Sequence, residues 1–269
     1  GGLAARAVGD ASAEVRKAAA RGLGTVGGAR GDVAATRALL EALGDADEGV
    51  REAALDSIKA VAVVVDRDLK LANRILQRLE DADANVRRAA VGALGVLPKD
   101  DADVAYSLYH KIEYGARETR RAAIQALSSL MTPGSDDAIK VAMLGLRDEE
   151  PSVREASVLA CKSGSVAPRG HPRAISALLQ HVQHANPATR QAALAALPHV
   201  CKGKQDPAVP AIVVSLADTD WAVRREAARC AGALGHRLEE RMMQALNLLL
   251  EDEEPYVVDA AKAALQQLS

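Results

Sequence analysis

Arginines at a fixed spacing are the first residues in this chain that could do chemistry. Arg16, Arg51, Arg87, Arg120, Arg154, Arg190 and Arg224 recur every 33 to 36 residues, and Val258 takes the same place in the final interval. A row of guanidiniums can bind phosphate or carboxylate, or its donors can be used in ion pairs inside the fold. Histidines form a second group: His181 and His184 stand three apart, with His199 and Cys201 further on. A His-x-x-His pair can place two imidazoles on one side of a zinc ion. No carboxylate or cysteine pair completes the set at a metal-binding spacing, so no metal is expected. Cys161, Cys201 and Cys230, an odd number at wide spacing, make no disulfide framework and suit a reducing compartment. Cys161 and Cys230 read as small core residues, and Cys201, near a loop, as the exposed one. Of the tyrosines, Tyr109 fits an apolar stripe, Tyr106 reads as reaching solvent, and Tyr114 lies close by. None of these sets is a catalytic constellation, so neither catalytic residues nor a cofactor are expected.

The elements that position these residues follow from the columns around each arginine. The residue before it is β-branched throughout: Val15, Val50, Val86, Thr119, Val153, Thr189, Val223 and Val257. Three after it stand Ala19, Ala54, Ala90, Ala123, Ser157, Ala193, Ala227 and Ala261. Six after it come Gly22, Ser57, Ala93, Ala126, Ala160, Ala196, Cys230 and Ala264, and seven after it Leu23, Ile58, Leu94, Leu127, Cys161, Leu197, Ala231 and Leu265. Positions −1, +3, +6 and +7 share one helical face, and its small members let neighbouring backbones approach closely. Six before the arginine come Asp10, Asp45, Asp81, Tyr114, Asp148, His184, Asp218 and Asp252. An Asp there is expected to accept backbone N–H bonds at the start of the helix carrying the arginine. Ahead of it runs another amphipathic stripe, such as Leu39, Leu40 and Leu43, Ile75, Leu76 and Leu79, Leu108 and Ile112, Leu178, Leu179 and Val182, or Leu246, Leu249 and Leu250.

Each unit is therefore a helix A, a short turn and a helix B, and one such pair cannot cover its own apolar face, so neighbours must stack. Loops separate the pairs at Gly27-Gly28, Pro98–Asp101, Thr132–Ser135, Ala167–Gly170 and Gly203–Asp206.

The run Asp-x4-Val-Arg-x-Ala-Ala followed by Leu-Gly, best seen in Asp10–Gly24 and Asp81–Gly95, resembles the HEAT repeat, and is most similar to the short HEAT-like repeats of the phycobilisome-lyase type. The resemblance spans essentially the whole chain. It implies an all-α fold, an α-solenoid forming a right-handed superhelix of about eight HEAT-type helix pairs, with residues 1–269 as a single array. The first repeat is incomplete, so the array is expected to be part of a longer array or protein, or to be docked at its ends. The resemblance also gives the motif residues a structural role, an Asp–Arg ladder within and between repeats: Asp10/Arg16, Asp45/Arg51, Asp81/Arg87, Asp148/Arg154 and Asp218/Arg224. Tyr114 and His184 interrupt it and are expected to leave Arg120 and Arg190 without a carboxylate, and Val258 ends it. Trp221, at a turn where such repeats often carry Trp, is expected to pack on the neighbouring helix.

Composition narrows the function. The net charge is −2, from 34 basic and 36 acidic residues, which does not suit a general nucleic-acid or anionic-membrane binder. No apolar run reaches membrane-spanning length. Aromatics are 2% of the chain, so Ala, Leu and Val must build the core. In HEAT arrays helix B generally lines the concave face. Its exposed columns, one and five after the arginine, then become the partner-binding candidates: Lys17, Arg21, Glu52, Asp56, Arg88, Arg121, Gln125, Glu155, Gln191, Arg225 and Arg229. Their charge alternates from patch to patch, which fits a long protein or peptide partner better than a polyanion. The expected function is a non-enzymatic intracellular scaffold, cytoplasmic and a subunit of a larger assembly. Nucleic-acid binding through the basic patches, or a bilin-lyase-like or other activity on a HEAT scaffold, is the alternative, with no residue set of its own.

Overall fold

The computed structural model describes residues 7–25, 32–61, 69–202, 207–234 and 240–268, with Leu69 and Lys70 described by backbone alone. The predicted loops at Gly27-Gly28 and Gly203–Asp206, and most of the segment ahead of Asp10, lie outside these. Every regular element among the described residues is helical. The chain divides into two compact units, Gly1–Met131 and Thr132–Ser269.

In the first unit the B helices are α1 (Ala13–Thr25), α3 (Glu48–Val61), α5 (Ala84–Ala93) and α7 (Arg117–Gln125), the last continued by the short α8 (Leu127–Leu130). The A helices are α2 (Val33–Ala42), α4 (Leu69–Gln77) and α6 (Ala102–Tyr114). In the second unit the A helices are α9 (Asp136–Leu146), α11 (Pro172–Val182), α13 (Val209–Ser215) and α15 (Glu240–Leu248). Their B partners are α10 (Pro151–Lys162), α12 (Pro187–Val200), α14 (Trp221–Leu234) and α16 (Pro255–Leu268). Within each unit a B helix packs on the next B helix as well as on its own A helix: α1 on α3 and α3 on α5, then α10 on α12, α12 on α14 and α14 on α16. This is the stacked arrangement that the repeated columns require.

The column three after each arginine is buried in all eight repeats. So is the column seven after it, apart from Leu265, which is partly exposed. The β-branched column is buried except at Val15, which is 42% exposed; α1 is the first described B helix and has no described pair ahead of it to pack on. Leu250 also departs from its stripe and is exposed. The approach between B helices is close. A Cβ added to Gly24 would lie 2.9 Å from the Ser57 Cα, and one on Gly232 would lie 3.0 Å from the Ala264 Cα. Small side chains at this seam replace the aromatic bulk that the composition lacks.

Three loops between pairs share a backbone device. Asp100, Gly134 and Gly170 have φ of 58°, 93° and 85°. Each donates its N–H to the carbonyl near the end of the following helix B: Leu130 at 2.9 Å, Val166 at 2.8 Å and Val200 at 2.6 Å. Basic neighbours add to this, with Lys99 Nζ donating to the Ser128 carbonyl and Arg169 to the carbonyls of Pro198 and Cys201. Carbonyls at a helix C-terminus have no partner within the helix, and at Leu130 and Val200 the preceding repeat supplies one, while Val166 lies in the loop just past α10.

Candidate functional site

The motif arginines form the most regular polar structure in the molecule. Arg16 Nε and Nη2 donate to the two carboxylate oxygens of Asp45 at 2.7 and 2.8 Å, one repeat ahead. The same bidentate pairing joins Arg51 to Asp81, Arg190 to Asp218 and Arg224 to Asp252. Nη1 turns the other way and donates to two main-chain carbonyls of the arginine's own turn, such as Asp45 and Ala46 for Arg51. Within a repeat, then, the Asp side chain is not the partner of its own arginine; its carbonyl is. The carboxylate belongs to the arginine of the preceding repeat.

This offset corrects the expected breaks. Arg190 keeps a carboxylate, that of Asp218. Tyr114 and His184 instead stand where the carboxylates for Arg87 and Arg154 would be. Those two arginines keep their Nη1 bonds, to Asp81 and Ala82 and to Asp148 and Glu149 respectively. Arg120 holds the Gly115 carbonyl at 3.1 Å. The rung carboxylates are held below the ordinary Asp range. For Asp45 and Asp252 the arginine hydrogen bonds are the main cause. For Asp81 and Asp218 burial pushes upward, and the arginine and backbone N–H bonds outweigh it.

The expected capping role also moves. Asp45, Asp81, Asp148, Asp218 and Asp252 each accept the N–H of the residue two further on. In the repeats of Asp47, Asp83, Asn186 and Asp220, that following residue is the one whose side chain caps helix B. Asp83 Oδ1 takes the N–H groups of Asn85 and Val86, and Asp220 Oδ1 those of Ala222 and Val223. Sequence reasoning missed this column, although Asp and Asn four residues before the arginine are its plain signal. Ala116 and Glu150 occupy the same position without a side-chain cap.

The helix-B columns differ in how free they are. Arg21, Arg88, Arg121, Gln125, Glu155 and Arg229 are exposed, as is Asp56, while Lys17, Glu52, Gln191 and Arg225 are partly covered. Lys17 lies against the turn of the next repeat, where a Cβ on Gly49 would meet its Nζ at 3.0 Å. Arg88 reaches back to Glu52 at 3.8 Å, Asp56 binds Lys59 at 2.6 Å, and Arg229 faces Glu226 at 3.7 Å. Burial pushes the Glu226 carboxyl up. Arg225 lies over the Trp221 ring, 5.2 Å from its centroid, with its Nε buried and unbonded. Trp221 also meets Tyr256 of the next repeat, with ring centroids 6.1 Å apart, as its expected packing on a neighbour implied. Tyr106 is 72% exposed.

His181, His184, His199 and the three cysteines show no metal geometry among the described residues. His181 Nδ1 bonds the Ala177 carbonyl at 2.8 Å, and its ring stacks on His184 at 6.4 Å. Burial, with Arg147 and His184 adding to it, moves the His181 pKa down. Among the described residues no three His, Cys, Asp or Glu side chains converge as a metal would require. Cys201, expected at the surface, is buried, and its carbonyl is one of those held by Arg169. Burial raises the Cys161 thiol to about 12. Among the described residues no helix is long and apolar enough to cross a membrane.

A family model for HEAT repeats matches residues 2–69, 72–162 and 175–266. The chain belongs to the HEAT-repeat family. No curated protein matches it. Solved structures share the HEAT solenoid fold at low identity. Kap121p bound to Pho4p matches with a TM-score of 0.70 at 13% identity, over 98% of this chain and 33% of that one. Kap95p, in a structure concerning RanGDP, matches at 0.65 and 15%, over 99% and 39%. Importin beta matches at 0.56 and 17%, over 99% and 40%. This HEAT chain spans at most 40% of the length of these structures.

Proposed function

We propose that this HEAT chain is a scaffold that holds a protein or peptide along the exposed columns of its B helices, as a subunit of a larger intracellular assembly. The reading treats residues 1–269 as one run of HEAT pairs. The observation that carries it is the division of labour among the arginines. Arg16, Arg51, Arg190 and Arg224 of the motif have their donors engaged with two repeats at once, whereas Arg21, Arg88, Arg121 and Arg229 project from the B helices α1, α5, α7 and α14, with Asp56 on α3 and Glu155 on α10. A surface of alternating sign steers and registers a partner of complementary pattern. The matched karyopherin structures include complexes with proteins, Pho4p with Kap121p among them, which makes protein binding a natural use of the fold.

The test is charge reversal on the two helix layers. Arg88→Glu, Arg121→Glu and Arg229→Glu together should remove the proteins captured by the wild type in quantitative affinity purification. Reversal of the exposed A-helix residues Lys140 and Arg241 should leave capture intact. Equal loss from both sets, or none from the first, would overturn the proposed face. A steeply salt-dependent mobility shift with nucleic acid, abolished by the B-helix reversals, would replace the protein partner with a polyanion.

A further inference from the structure

Among the described residues, Arg87 and Arg154 lack the carboxylate that Arg16, Arg51, Arg190 and Arg224 hold. In the intact rungs the guanidinium is clamped from one side: Nη1 is tied to the carbonyls of its own turn, so the Nε–Nη2 edge points at the neighbouring repeat. There the oxygens of Asp45, Asp81, Asp218 and Asp252 sit 2.6 to 2.9 Å from that edge. Arg154 has the same clamp, with Nη1 2.8 Å from the carbonyls of both Asp148 and Glu149. Its Nε and Nη2 hold no carboxylate among the described residues. The place across from them belongs to His184, which is only partly buried.

His184 cannot stand in for the missing acid. Its Nδ1 accepts the Asn186 N–H at 3.1 Å, the same bond that a rung aspartate makes with the residue two further on. A neutral ring whose Nδ1 accepts carries its proton on Nε2, so its other face is a donor. A fork whose two donors are oriented by bonds on their far side binds a planar oxyanion without first being ordered.

We infer that the Arg154 fork is a carboxylate-binding site, filled by an acidic side chain of a partner protein, which completes the rung that His184 leaves open. Carboxylate is the group that meets the same Nε–Nη2 edge in four other repeats, those of Asp45, Asp81, Asp218 and Asp252. Arg87, opposite Tyr114, is the weaker counterpart, because Glu118 lies near enough to feel its charge. The inference draws on the scaffold reading only for the source of the acid.

The fork can be tested without a partner. The Nε–Hε resonance of Arg154 would be followed by NMR in the whole chain while a blocked Gly-Asp-Gly peptide is added, with Gly-Asn-Gly and inorganic phosphate as comparison titrations. The Arg154 signal should shift saturably with the Asp peptide and not with the Asn peptide, and the Arg190 signal should stay fixed. His184→Asp supplies the acid internally and should weaken the peptide response at least about tenfold, with unchanged helicity as the folding control. Arg154→Lys, which keeps the charge but loses the fork, should weaken it as well. An Arg154 signal that does not move, moves equally with the Asn peptide, or moves equally in His184→Asp would overturn the site. Tighter binding of phosphate than of the Asp peptide would overturn the assignment to carboxylate. A silent fork leaves the B-helix capture result untouched, so the two readings fail separately.

Discussion

Each arginine of an intact rung divides its N–H groups between two repeats, and that division fixes what a single substitution does. Asp81 is the most enclosed rung acid, with 4% of its side chain exposed, and it receives Arg51 at 2.7 and 2.8 Å. Asp81→Asn removes the charge and leaves the Arg51 guanidinium poorly compensated, so a loss of about 2–3 kcal/mol is expected in urea denaturation. The pH dependence follows from the sign of the shift. Folded-state pKa values of the rung aspartates lie below the unfolded value near 3.9, so their stabilisation is fully present above that value. It is lost as pH falls through the folded values. The urea midpoint should be level from about pH 7 to 5 and fall below about 4, and Asp81→Asn should fall less steeply. A parallel decline in both proteins would remove the rungs from the account of acid sensitivity. The direction of the rungs was not legible in the sequence for a geometric reason. An Asp six residues before its own arginine and an Asp 28 to 30 residues after the previous one are equally regular, so the pattern alone does not say which is the partner. Only the placement of Nη1 on the turn carbonyls decides it.

At the level of helices, the start of each B helix is set by the residue four before the arginine. Asp83→Ala should cost about 1 kcal/mol, because two backbone N–H groups at the start of α5 lose their acceptor. Ala116, which caps α7 with no side-chain bond, offers the reverse: Ala116→Asp should raise stability by roughly 0.5–1 kcal/mol. Thermal midpoints of the two variants, moving in opposite directions, would check both. A shift in the same direction would mean that the turn carbonyl bonds, not the caps, start these helices. The helix faces themselves were readable because a buried stripe imposes its period on side-chain size. Eight buried residues in one column is a signal that survives changes of identity from Ala to Ser. Val15, Leu250 and Cys201 departed from expectation because their exposure depends on what packs over them from other repeats, which spacing along the chain does not encode.

For the molecule as a whole, stability is built from neighbour-to-neighbour contacts, so pieces should behave like shorter versions of the same protein. A fragment ending at Met131 and one beginning at Thr132 correspond to the two compact units. Each should show a helical circular dichroism spectrum and a cooperative urea transition; an unstructured second fragment would contradict this. The HEAT architecture was legible from the sequence because it is written eight times, whereas the open rung at Arg154 was not, since a missing acid has meaning only once the neighbouring rungs are seen in place. The loop amides of Asp100, Gly134 and Gly170, each bonded to the end of the next pair, carry a further consequence. Amides in surface loops ordinarily trade their protons with solvent quickly, but these three open only when two adjacent repeats part. In deuterated water they should retain their protons as long as amides in the middle of a helix. Their exchange would then time the separation of one repeat from the next, read from the backbone alone.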